Sequence, residues 1–430
     1  MNDLNNTVLK NKTGITKIEL GLITLASVIF LFLISNTLKP PFYDEDEYLS
    51  NVDILKQYGL GSDYLLNLIG SAGPLFSIIH YLFEPLTQLK APHVRLVNYI
   101  FLLGTIYFVA LILKNISNTT TWTYAMYIMV SPLTYVMAGL ALTEMPAIFF
   151  YTIAIYSALK STETNNYAGA VSYALVGGTC LSFAIMGRQP YLLTLAAFPI
   201  LFFSFQDVKR RLILFLTFAI FSLAIPLLVF WVWKGLVPPE DGSLYTNLAK
   251  AGKSFEPIHI FNFLFYAAVG VFFVAPEFYY QLNKKSAYIL TGSFIILLAV
   301  NLYINFSLFL PIRTIFKNIF PSQVIIFGEY FFGAAVVLAG VAFTILMIQS
   351  LKYLKYKKEV VFAVAAIILL AISCGKITWG FSSRYTSQAI PLLLVLGSYY
   401  YKNSNWNILR ILVGVTLGLA SITFLYLGKQ

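Results

Sequence analysis

Uninterrupted apolar stretches constrain this chain more than any other feature. Residues 18–38 carry a single charge, Glu19, and comparable runs recur almost to the C-terminus. A helix of about 20 apolar residues crosses the roughly 30 Å of hydrocarbon in a bilayer. Lipid offers no water to backbone N–H and C=O groups, so such runs must satisfy them internally as helices. Charged residues make up 11% of the chain, against about 25% in soluble domains. The expected fold is therefore all-α, a polytopic transmembrane helical bundle of about thirteen spans. These fall near 18–38, 94–113, 121–138, 141–159, 168–187, 191–205, 212–233, 258–281, 287–310, 325–349, 360–375, 388–401 and 407–427. Residues 1–430 read as one integral membrane domain, with the first run a retained span rather than a cleaved signal.

Segment 73–90 is apolar but holds Gly73-Pro74, His80 and Glu84-Pro85. It reads as a helix lying in the interface rather than a further span. With that choice, basic clusters such as VKRR at 208–211 and KYLKYKK at 352–358 fall on the N-terminal side of the membrane. Placing that side in the cytoplasm satisfies the positive-inside bias. The net charge of +11 is thus largely a topology signal. It forms no stripe or aromatic-interleaved groove, which argues against a nucleic-acid partner. Cys180 and Cys374 sit in or beside apolar runs, and His80, His93 and His259 lack metal-ligand spacing.

The first outer loop, 39–93, then holds four consecutive carboxylates, Asp44-Glu45-Asp46-Glu47, directly after a span. The plain reading is a solvated cap. Three features point to chemistry instead: Pro40-Pro41 stiffens the exit from the helix, Tyr43 and Tyr48 flank the acids, and the chain returns to the membrane rather than entering a soluble domain. Arg95, Arg188 and Arg384 lie near predicted outer span ends, where a guanidinium suits a phosphate or snorkels to water. Glu144 opens a span on the same face, either as a charge favoured by the helix dipole or as an acceptor-site residue.

Asp44-Glu45 followed by Tyr48 resembles the acidic motif in the first outer loop of polytopic GT-C glycosyltransferases, of the protein O-mannosyltransferase and aminoarabinose transferase kind. Gly73-Pro74-Leu75, Val94-Arg95-Leu96, Thr143-Glu144-Met145-Pro146, Gly187-Arg188-Gln189-Pro190 and Ser383-Arg384-Tyr385 with Pro391 resemble further family segments in the same order. Where many relatives show His-Pro-Pro, this chain has Ala72-Gly73-Pro74, so no role passes to that histidine.

The resemblance implies a GT-C-like bundle with interfacial helices in the first outer loop. It also implies transfer of a sugar from a polyprenyl-phosphate donor to a glycan, lipid or protein acceptor, with inversion. Asp44 is then the candidate base and Glu45 its helper, with Asp46-Glu47 the alternative pair. Arg95, Arg188 and Arg384 are candidate phosphate ligands, and Glu144, Tyr48 and Tyr385 candidate acceptor or supporting residues. A divalent cation at Asp44 and Glu45 is compatible with the chemistry but not required. The expected location is a bacterial plasma membrane with the site facing outward. The competing reading is a transporter or flippase of lipid-linked glycans. Such a protein places ionisable groups near the bilayer midplane, whereas here they gather at span ends.

Overall fold

The computed structural model describes residues 15–42, 44–70, 72–116, 122–203, 207–239, 255–282, 284–304, 321–377, 381–404 and 406–427. Tyr43, Lys253, most of the 235–257 connection and residues 311–320 lie outside them. The described residues form helices and the connections between them, with no strand among them. The chain divides into two compact units, 1–248 with 402–430, and 249–401.

The first unit holds α1 (Lys17–Asn36), α2 (Asp44–Tyr58), α3 (Ser62–Leu66), α4 (Leu75–Thr87) and α5 (His93–Ile116). A 3-10 segment (Trp122–Val130) leads to α6 (Leu133–Gly139), α7 (Glu144–Glu163) and α8 (Tyr167–Gly187). Short α9 (Tyr191–Thr194) and α10 (Pro199–Phe202) precede α11 (Val208–Trp233), and α18 (Trp406–Leu427) closes the unit. The second unit holds α12 (Pro257–Val274), α13 (Lys284–Ile304), α14 (Ser322–Tyr353), α15 (Lys358–Cys374), α16 (Arg384–Ser387) and α17 (Ile390–Ser398).

Helix occurs at every expected span, yet fewer helices can cross a bilayer unbroken. Among the described residues seven are long and apolar enough, eight if the bent pair α6–α7 counts as one. The difference lies in backbone breaks. Segment 121–138 splits at Ser131-Pro132 into 3-10 and α pieces, 191–205 splits around Pro199, and 388–401 yields only the nine residues of α17. At 17 residues, α15 spans about 26 Å. The split at 131 is stitched by side chains: Thr134 donates to the Ile128 carbonyl at 2.7 Å and Tyr135 to that of Met129 at 2.8 Å. These bonds replace what the interrupted helix cannot supply.

Helix α4, at 13 residues, is about 20 Å long and too short to span. Its inner face (Leu75, Phe76, Ile79, His80) is buried while Tyr81, Leu82 and Leu86 are exposed, which fits an interfacial helix. His80 is fully enclosed against Phe76, ring centroids 4.1 Å apart, and neither ring nitrogen has a hydrogen-bond partner among the described residues. Burial pushes its pKa down to about 3. Below the unfolded value near 6.5 the unfolded chain therefore takes up a proton that the folded one refuses, so stability falls with falling pH between roughly 6.5 and 3. This single group contributes up to about 1.4 kcal/mol per pH unit. Thermal melts of the wild type from pH 7 to pH 5 should show a slope that His80→Phe reduces; an identical slope in both would refute the assignment.

Helices α8 and α11 approach closely because α8 presents glycines. A Cβ on Gly178 would lie 2.4 Å from the Phe218 carbonyl oxygen and 2.9 Å from the Phe221 side chain. Small residues at such crossings let membrane helices pack backbone to backbone. Gly178→Val should therefore cost roughly 1–3 kcal/mol from overpacking. A lower melting temperature of the purified protein would register it, and an unchanged one would contradict the packing.

Candidate active site

Helix α2 shows how four consecutive acids divide their roles. Its buried positions, Glu45, Tyr48, Leu49, Val52 and Leu55, recur at helical spacing. Glu45 is thus on the inner face, fully buried, while Asp46 and Glu47 are exposed and Asp44 is half-buried at the first position. All four sit in the first turn, where the helix dipole favours anions.

The Glu45 carboxylate is saturated. Oε1 accepts from Arg95 Nε at 2.9 Å and from the Ala141 N–H at 2.7 Å; Oε2 accepts from Arg95 Nη2 at 2.7 Å and from the Phe42 N–H at 3.2 Å. Arg95 is equally committed. Its remaining donors reach the carbonyls of Lys39 (3.1 Å) and Pro40 (3.2 Å) and the Thr37 hydroxyl (3.5 Å), and it lies over the rings of Phe42 and Tyr426. Both side chains are wholly inaccessible to solvent. The pair pins the exit of α1, the start of α2 and the link between α6 and α7 to the top of α5. In this arrangement Arg95 offers no donor toward an outside phosphate.

A second buried ion pair lies just beyond that link. Glu144, first residue of α7, accepts from Arg188 Nη2, and the Thr143 hydroxyl reaches its other oxygen at 3.4 Å. Arg188 follows α8 directly and is itself buried. Residues 72–75 rest on the same place: a Cβ on Gly73 would lie 2.1 Å from the Met186 carbonyl oxygen, and one on Gly187 2.9 Å from Leu75 Cδ2. The Ala72-Gly73-Pro74 sequence thus has a steric reason, since position 73 has no room for a side chain. Glu45–Arg95 and Glu144–Arg188 flank a break of four residues, 140–143, across which α6 and α7 bend by 111°.

Glu47 folds over Gly70, whose φ is +80° and where a Cβ would collide with its carboxylate. Asn51 adds a two-way tie to Ile69, accepting from its N–H at 2.8 Å and donating to its carbonyl at 2.9 Å. Tyr48 points inward, its ring 5.5 Å from that of Phe76 on α4. Lys56 bridges from the far end of α2 to Glu84 of α4.

In the second unit Arg384 opens α16, half-buried, its guanidinium 5.6 Å from the Tyr385 ring. Phe381 packs between His259, Tyr266 and Tyr385 at centroid distances of 5.7, 5.9 and 5.8 Å. Among the described residues no three His, Cys, Asp or Glu side chains converge in a way that would hold a metal ion.

Sequence reasoning assigned Glu45 to an open site, although its period with Tyr48, Val52 and Leu55 marks it as inward. It passed over Asn98, one turn beyond Arg95 on the same face of α5. Fully buried, Asn98 donates through Nδ2 to the carbonyls of Met137, Leu140 and Leu142 at 3.3, 2.7 and 2.8 Å. A lone polar residue at helical spacing from Arg95 was the available signal.

The architecture is that of an all-helical polytopic membrane protein with interfacial helices between its first two spans. No family model matches the chain, and no curated protein matches it. Among solved structures it is similar to ArnT from Cupriavidus metallidurans in the apo state, with 13% identity, 93% of this chain and 77% of that one covered, and a TM-score of 0.43. The same protein bound to undecaprenyl phosphate gives 12%, 88%, 76% and 0.43. The archaeal oligosaccharyltransferase AglB from Archaeoglobus fulgidus, in complex with an inhibitory peptide and a dolichol-phosphate, gives 13%, 94%, 56% and 0.48. This chain spans just over half the length of AglB.

Proposed function

We propose that this chain is a GT-C-type membrane glycosyltransferase that moves a sugar from a polyprenyl-phosphate donor to an acceptor hydroxyl at the outer face of a plasma membrane. The observation that carries the reading is the division of labour within Asp44-Glu45. Glu45 is consumed in holding the helix start, and Asp44 stands beside it, half-exposed at the first position of α2. That is what a base needs: a carboxylate placed to within a fraction of an ångström by groups that do not themselves react.

In the proposed step Asp44 accepts the acceptor's hydroxyl proton as its oxygen attacks the anomeric carbon. The carbon–oxygen bond to phosphate breaks on the opposite side, so the configuration inverts and polyprenyl phosphate departs with the electron pair. The phosphate is an adequate leaving group without a strong acid, and a guanidinium is a fitting partner for it. Arg188 fills that role in this reading, while Arg384, in the second unit, is carried by its sequence motif alone. Arg95 and Tyr48, assigned to phosphate and acceptor by sequence, become positioning residues, and Glu144 orients Arg188. Asp46 and Glu47 are less suited as a pair, because both lie on the exposed face of α2, away from the half-buried Asp44 and the buried Glu45.

The buried charges also weigh against a transporter. Glu19, Glu45, Arg95, Glu144, Arg188 and Arg410 all lie at or near helix ends, whereas transport sites gather their ionisable groups in the middle of spans. Purified protein incubated with polyprenyl-phosphate hexose and pentose donors and a lipid acceptor extract should release polyprenyl phosphate, with the product's anomeric configuration opposite to the donor's. Release no faster than in a protein-free blank, with every donor, would overturn the reading.

A further inference from the structure

We infer that Asn98 is a positioning residue of the transfer site, acting on Asp44 through the Ala141 amide and Glu45. The inference rests on the reading of Asp44 as base.

The link between α6 and α7 has little backbone bonding of its own. The Leu140 N–H returns to the Val136 carbonyl and the Leu142 N–H to that of Leu140. The Leu140 carbonyl thus has a backbone partner, but those of Met137 and Leu142 depend on a side chain in a buried, low-dielectric interior, where an unpaired acceptor costs about 1–3 kcal/mol. The two N–H bonds of one amide nitrogen are spread over the carbonyls of Met137, Leu140 and Leu142. Nothing else on the Asn98 side chain is bonded: its Oδ1 is buried without a hydrogen-bond partner among the described residues. The residue therefore acts entirely as a donor into this link. Its Nδ2 bonds bracket Ala141, touching the carbonyls immediately before and after it, so they fix the plane in which the Ala141 N–H points.

That N–H meets Glu45 Oε1 at 2.7 Å. The same oxygen is shared with Arg95, one helical turn from Asn98 on α5. One face of α5 thus grips both partners of the contact, Glu45 directly through Arg95 and the Ala141 peptide through Asn98. Glu45 immediately follows Asp44 in the first turn of α2, so a tilt of its carboxylate tilts the turn that presents Asp44. The link ends at Thr143-Glu144, which places the Arg188 ion pair under the same control.

The full-length protein in proteoliposomes tests this. Asn98→Ala should lower kcat for sugar transfer at least tenfold while KM for the polyprenyl-phosphate sugar stays within about twofold. Combined with Glu45→Gln, it should add little to the loss caused by Glu45→Gln alone, because both variants release the same contact. Losses that multiply, or an unchanged kcat in Asn98→Ala, would overturn the inference. Asn98→Ser, which keeps one donor, should fall between wild type and Asn98→Ala, and serves if the alanine variant does not fold.

Hydrogen–deuterium exchange supplies a readout independent of activity. Exchange across 140–144 should accelerate in Asn98→Ser while the rest of α7 stays protected. If the exchange changes but the wild type transfers no sugar, the functional reading fails and the clamp stands. If transfer is present but exchange at 140–144 is unmoved, the clamp fails and the functional reading stands.

Discussion

Arg95→Ala should destabilise the protein by roughly 3–5 kcal/mol, the loss expected when one member of a buried ion pair is removed. The magnitude follows from what remains. Glu45 would keep its two backbone donors, Phe42 and Ala141, but hold a negative charge with no solvent access and no countercharge. The carbonyls of Lys39 and Pro40 would lose their donor as well. Arg95→Lys should recover only part of the loss, because an ammonium cannot meet two carboxylate oxygens and two carbonyls in one planar fork. Arg95→Met with Glu45→Leu should be milder than Arg95→Ala alone, since removing both charges avoids the uncompensated one. Melting in detergent, followed by intrinsic fluorescence, checks the order. A double variant less stable than Arg95→Ala would show that the pair's net electrostatics, rather than the orphaned charge, dominates.

The second large effect is on chemistry rather than stability. Asp44→Asn keeps the size of the side chain and removes its basicity, so transfer should fall by about 10²–10⁴. The fold should barely notice. Asp44 is half-exposed, and a surface carboxylate at a helix N-terminus contributes only about 0.3–1 kcal/mol through the dipole. Neighbouring acids with opposite sensitivities, one structural and one catalytic, are the signature of the proposed arrangement.

Much of this organisation was legible in the sequence, and the illegible part has a common cause. Long apolar runs such as 18–38 and 407–427 announce helices because lipid leaves the backbone no alternative. The interfacial character of 75–87 was visible in its Gly-Pro start and polar interruptions. The fate of 121–138 was not, because whether Ser131-Pro132 kinks a span or ends it depends on Thr134 and Tyr135 bonding back to Ile128 and Met129. Arg95 looked like an arginine free to meet a phosphate because its partner is 50 positions away. No local pattern separates an arginine that snorkels from one buried against a distant glutamate. Glu45 could have been placed inward from the period of α2, had the acidic cluster been treated as part of a helix rather than as a loop. Asn98 showed only through its helical spacing from Arg95: its partners are backbone carbonyls some 40 residues on, which carry no residue-type signal.

The most direct test of the central claim is a paired measurement on Asp44→Asn: melting temperature and initial rate of sugar transfer from a polyprenyl-phosphate donor, on the same preparation. The arrangement of Asp44 and Glu45 predicts a melting temperature close to wild type and a rate lower by at least a hundredfold, in line with the loss of a general base. A well-folded Asp44→Asn protein that transfers sugar at the wild-type rate would contradict it.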